Sequence, residues 1–281
     1  MKKKELEWGK VRYYSSYNDD FVTTPIAKEK EIKDNYNYLT RGVVFKFFGN
    51  LFYYIIAYPI IWLINKIKYG VKVKGKKNLK KIKGGYIIMG NHSCFFDQCF
   101  DSVMVAFPRK NYIVANKGVV EVPVARFLVK TLGALPLPDT PRGLANLNNA
   151  IGKIVKKGGC VTIYPEAHLW PYYTGVRSIP PASFHYAIKN DVPVVPVAVT
   201  YRYAKGKNYL KKKPKVNLTI MEPIYANKDL SSADCKKDMA KRTEDALRSV
   251  IETDDNVALY KYVYKPKEDM ENDNSQVVNN K

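Results

Sequence analysis

The sequence predicts an α/β fold: a mixed, largely parallel sheet flanked by helices and preceded by an N-terminal helical membrane anchor. Three observations carry this. Short apolar runs of strand length (Tyr86 to Met89, Asn111 to Ala115, Cys160 to Tyr164) alternate with segments of helical pattern. Residues with reactive side chains, His92 and Glu166, follow the ends of two of these runs, where α/β folds place their chemistry. A charge-free run, Leu51 to Ile64, precedes all of them.

Composition narrows the function classes. Lys and Arg number 47 against 26 Asp and Glu, a formal net charge of +21, which calls for a polyanionic partner or surface. The 4 cysteines (Cys94, Cys99, Cys160, Cys235) have neither paired nor regular spacing, so zinc and disulfide frameworks are not expected and no metal site is predicted. The first long apolar run starts only at Val43, so no signal peptide is expected and the polar part should face the cytoplasm.

Residues 1–41 mix Lys, Tyr, Asp and Asn without a sustained period and read as an adaptable, membrane-touching arm. Residues 42–70 form the anchor. The 14 uncharged residues from Leu51 to Ile64 give a helix of about 21 Å, short of a hydrocarbon core of about 30 Å. Pro59 should break or kink it, and nine lysines follow from Lys66 to Lys83. A monotopic or re-entrant anchor on the cytoplasmic face of the cell membrane is therefore expected, with a single span as the alternative.

Residues 71–255 read as the main domain. Val71 to Lys74 alternates as an edge strand, and Asp97 to Phe107 reads as a helix ending before Pro108. Pro123 to Leu132 reads as a helix stopped by Gly133. Thr140-Pro141 supplies an N-cap and a first-turn proline for a helix with Leu144, Leu147, Ile151 and Ile154 on one face. Pro180-Pro181 introduces a helix to Lys189. Val192 to Tyr201 is β-like, but Pro193 and Pro196 argue against full pairing in a central strand. Val216 to Met221 is a further strand, Ser232 to Thr253 a helix, and 256–281 a disordered polar tail.

Asn91-His92-Ser93-Cys94-Phe95-Phe96-Asp97 holds the central chemistry. On one continuous helix, a spacing of five would splay His92 and Asp97 about 140° apart, whereas a turn folds the carboxylate back onto the imidazole. A carboxylate on one ring nitrogen fixes the tautomer and leaves the other as a base for a hydroxyl. Ser93 and Cys94 are alternative nucleophiles, and His92 as a plain helix cap is the bland alternative.

Asn-His-x-x-x-x-Asp after a strand, then Tyr164-Pro165-Glu166 after another and Val192-Pro193-Val194-Val195-Pro196-Val197, resembles the glycerolipid acyltransferase family typified by 1-acyl-glycerol-3-phosphate acyltransferases. The resemblance implies His92 as general base, Asp97 as its orienting carboxylate, and Glu166 as organiser of the acceptor pocket through a basic side chain or backbone amides. It implies acyl-CoA or acyl carrier protein as donor, a lysophospholipid as acceptor, and no tightly bound cofactor. Gly133 to Pro138 with Arg142 loosely matches the family's phosphate-binding block. Where the family has Glu-Gly-Thr-Arg, this chain has Glu166-Ala167-His168-Leu169, so the usual arginine is absent. Its role is expected to fall to Arg177, Arg142, Lys117 or His168, with Asn91 also at the site. Backbone amides near Asp97 are expected to stabilise the oxyanion. The missing arginine leaves open a non-phosphorylated lipid or glycolipid acceptor. A non-catalytic basic protein that binds membrane or nucleic acid is the third reading. Lysines beside a lipid-like stretch favour an anionic membrane over nucleic acid.

Overall fold

The computed structural model describes residues 8–22, 31–39, 42–120, 129–206 and 212–269. Strands are numbered in chain order: β1 Lys10–Tyr14, β2 Lys72–Lys74, β3 Tyr86–Gly90, β4 Asn111–Ala115, β5 Ala134–Pro136, β6 Cys160–Ile163, β7 Val194–Arg202, β8 Lys215–Ile220 and β9 Tyr260–Tyr264. A 7-stranded sheet has the order β2-β8-β7-β3-β6-β4-β5. From β7 to β5 every pairing is parallel; β8 runs antiparallel to β7, and β2 runs parallel to β8. The expected mixed, largely parallel sheet is therefore present. Because β6 lies directly beside β3, the segments that follow these two strands emerge as neighbours.

Alternation along β3 sends Ile87 and Met89 to one face and Tyr86 and Ile88 to the other, and all are buried. The first face packs under helix α4 (Pro141–Lys156), the short α5 (His185–Lys189) and α6 (Ser232–Ile251). Thr140 caps α4 by accepting the Gly143 N–H at 3.0 Å, and Leu147, Ile151 and Ile154 are buried as expected, while Leu144 points outward. The second face packs under α3 (97–105), an α-helical turn at Asp97–Phe100 continuing as a π-helical turn at Asp101–Val105.

The apolar segment forms one helix, α1, Val43–Ile67, of 25 residues and about 37 Å, long and apolar enough to cross a membrane. It exceeds the expected 21 Å because the helix continues past the charge-free run through Lys46 and Lys66. It also runs through Pro59, where a break or kink was expected; a π-helical stretch, Phe52–Ala57, immediately precedes the proline that lacks an N–H. Tyr53, Ala57 and Asn65 face the protein, while Phe45, Phe47, Phe48, Ile55, Ile60 and Leu63 are exposed. The short helix α2 (Lys76–Leu79) follows β2.

β7 is a central strand, and its pairing is incomplete at Pro196, as the proline predicts. Residues 194 and 196 direct their backbone groups toward the β8 side, where Met221 N–H donates to the Pro196 carbonyl at 3.0 Å; the missing N–H therefore falls beyond the β7–β8 ladder, which starts at Val197. The reading of 256–281 as a disordered tail fails at Tyr260–Tyr264, which pairs in parallel with β1. The arm is accordingly built onto the domain over its described residues, with Phe21 edge-on to the stacked rings of Tyr262 and Trp170. Residues 270–281, and most of the helix expected at Pro123 to Leu132, lie outside the described residues.

Candidate active site

β3 ends at Gly90, and the chain then turns before α3 begins at Asp97. The turn folds the carboxylate back: Asp97 Oδ2 lies 3.2 Å from His92 Nδ1 and also accepts the N–H groups of Ser93 at 2.9 Å and Cys94 at 2.8 Å. With Nδ1–H donated to Asp97, the imidazole presents Nε2 as a base. The His92 side chain is 19% exposed and that of Asp97 1%. Burial raises the Asp97 carboxyl above its usual range, against the opposing pull of His92 and the two amides.

Neither neighbouring nucleophile is available. Ser93 is buried, with its Oγ 2.9 Å from the Tyr201 hydroxyl, and burial pushes the enclosed Cys94 thiol up. The Ser93 and Cys94 amides are bound to Asp97. Asn91 is also structural. Its Oδ1 accepts Val199 N–H at 2.8 Å and its Nδ2 donates to Val199 O at 3.0 Å, so the carboxamide continues the β3–β7 ladder one step past the strand end. It does not face an acceptor.

From the end of β6, Glu166 reaches under the same turn. Its Oε2 accepts the His92 backbone N–H at 3.1 Å and pairs with Arg177, from Nη2 at 2.7 Å and Nε at 3.2 Å; its Oε1 accepts Arg177 N–H at 3.2 Å. Both side chains are almost fully buried. Arg177 also donates to the carbonyls of Tyr17 and His168 and packs over the Trp170 ring. Four of its N–H groups are thus committed, and it serves as an internal clamp instead of the phosphate ligand expected. His168 pairs with Asp20 of the arm at 2.7 Å. It anchors the arm.

Lys117 follows β4 and Arg142 opens α4 after β5, so both stand at the sheet end that carries His92. Lys117 pairs with Asp139 at 3.0 Å, and Arg142 is exposed.

Two contributors were not anticipated. The Tyr164 ring stacks on His92, with centroids 4.5 Å apart and planes at 17°, and its hydroxyl donates to Asp101 Oδ2 at 2.7 Å. Burial pushes the Asp101 carboxyl up to about 7. Asp101 lies four residues after Asp97, one turn along the same helix, and that spacing is its signal in the sequence.

Residues 70–200 match the family described as Acyltransferase. This stretch is similar to an acyltransferase domain. It contains both motif blocks, and the resemblance in the sequence is borne out at that level. A solved structure similar to this chain is the 1-acyl-sn-glycerophosphate (LPA) acyltransferase PlsC from Thermotoga maritima, at 18% identity and TM-score 0.49, covering 74% of this chain and 93% of that one. Comparison with curated proteins gives no match.

Proposed function

We propose that this acyltransferase domain moves a fatty acyl group from an acyl-CoA or acyl carrier protein thioester to the hydroxyl of a lysophospholipid, most simply 1-acyl-glycerol-3-phosphate, giving phosphatidate. The observation that carries the reading is the pairing of His92 Nδ1 with Asp97 beside two enclosed would-be nucleophiles. It supports direct attack by the substrate hydroxyl, without an acyl-enzyme.

In this scheme the acceptor hydroxyl gives its proton to His92 Nε2 as its oxygen attacks the thioester carbonyl. The C–S bond then breaks, and the leaving thiolate takes the proton back from the imidazolium, which Asp97 stabilises meanwhile. Glu166 and Arg177 act by fixing the His92 backbone. Acceptor phosphate would meet Arg142 and Lys117, since Arg177 is committed inside the protein.

The exposed apolar face of α1 supports anchoring on a bilayer, as a monotopic element or a span, and we propose the cytoplasmic face as the anchored side. Acyl transfer by wild-type and His92→Ala protein in liposomes, with either thioester donor and a panel of lysolipids, tests the reading. Transfer to lysophosphatidate that vanishes in the variant supports it; no transfer with either donor overturns it.

The commitment of Arg177 favours a second reading, a non-phosphorylated lipid or glycolipid acceptor. Under the first reading Arg142→Gln raises KM for lysophosphatidate; under the second it leaves acceptor KM unchanged.

A further inference from the structure

A cavity of about 680 Å³ opens beside the first half of α1, lined among others by Lys46, Arg109, Lys110, Lys130, Lys153 and Lys157, with no aspartate or glutamate among its described residues. Arg109 and Lys110 immediately precede β4, and Lys157 lies just before β6. Both strands run parallel to β3, so the cavity sits at the amino ends of the strands, and His92 lies past the carboxyl end. It is a different place from the catalytic site.

Arg109 is turned inward, donating to the carbonyls of Gly84 and Ile82. Lys110 is held over the Tyr53 and Tyr112 rings, 5.1 and 5.6 Å from their centroids, and burial lowers its pKa to about 8. An ammonium desolvated in this way, among further cations, gains from an anion in the cavity. Phe45 lines the same opening, and the adjoining turn of α1 exposes Val44 and Phe48 at 66% and 60%.

We propose that this cavity binds the phosphate headgroup of an anionic membrane phospholipid, whose acyl chains lie along the exposed face of α1. Charge selects the headgroup, and the contiguous apolar helix selects a lipid over a free anion. The proposal does not rest on the catalytic reading, because binding is measured without turnover.

The test is partition of the full chain onto phosphatidylcholine vesicles with and without phosphatidylglycerol at fixed ionic strength, the readout being the ratio of the two. Each cavity lysine should contribute about fivefold to that ratio. Lys110→Gln and the exposed pair Lys153→Gln/Lys157→Gln should each lower it, whereas Lys76→Gln/Lys77→Gln on α2 should leave it nearly unchanged. His92→Ala should bind as wild type. If Lys110→Gln fails to fold, the exposed pair carries the test.

An equal loss in the α2 variant would make the attraction one of diffuse charge and overturn the site. So would a ratio near one for the wild-type protein. Displacement by inorganic phosphate at constant ionic strength would assign the cavity to a free anion and overturn the lipid.

Discussion

The carboxylate of Glu166 accepts the backbone N–H of His92 at 3.1 Å, tying together positions 74 residues apart. The same oxygen holds Arg177, so the His92 turn rests on a buried ion pair. Removing one partner of such a pair strands a charge. Arg177→Met should lower stability by about 3–5 kcal/mol in urea denaturation, and the double change with Glu166→Gln should cost less than the sum of the singles. In acyl-transfer assays Arg177→Met should reduce kcat; a rise in acceptor KM alone would return Arg177 to the substrate.

Asp97→Asn keeps an oxygen for the Ser93 and Cys94 amides but no longer fixes the His92 tautomer. The fold should survive by circular dichroism while kcat falls about 10³- to 10⁴-fold. A loss below tenfold would remove Asp97 from the proton path.

Asp101 titrates near 7 in the folded protein, above its ordinary value of 3.8. Between these values the unfolded chain loses the proton first. The stability Asp101 contributes is therefore full at about pH 4 and falls, by up to about 4 kcal/mol, as pH rises to about 7. Asp101→Asn retains an acceptor for Tyr164 and should flatten that decline. Urea midpoints at several pH values compare the two; parallel curves would contradict the prediction.

Ala167 occupies the left-handed region at φ 60, where the family pattern carries glycine. A Cβ is disfavoured there, so Ala167→Gly should stabilise the protein by about 1 kcal/mol, read as a rise in Tm. A fall in Tm would mean that the methyl group packs favourably enough to outweigh the strain.

Much of this was legible in the sequence because it is local. The Thr140 cap, the β3 run before His92 and the β6 run before Glu166 each lie within a few residues of what they specify. What escaped depends on distant partners. Arg177 looked like a phosphate ligand because its pairing with Glu166 is set by the fold and its bond to the Tyr17 carbonyl by the docked arm. Asn91 looked like a site residue because the backbone of Val199, which it mimics a strand to meet, is 108 residues away. Pro196 correctly ruled out full pairing, but that the strand is nonetheless central depends on where the β7–β8 ladder begins. For β9 a signal was present: Tyr260, Tyr262 and Tyr264 alternate with Lys261 and Val263, a period-two pattern inside a stretch judged by its polar surroundings.

The parallel ribbon of β1 and β9 sets an order of assembly. Lys10 leaves the ribosome well before its partner Tyr260. A nascent chain can therefore build β3, β6 and the His92 turn while the ribbon that seats Tyr17 beside Arg177 is still unmade. Docking of the arm then waits on Tyr260, so chains cut short before it would carry both motif blocks yet lack the Tyr17 carbonyl that holds Arg177 beneath the His92 turn.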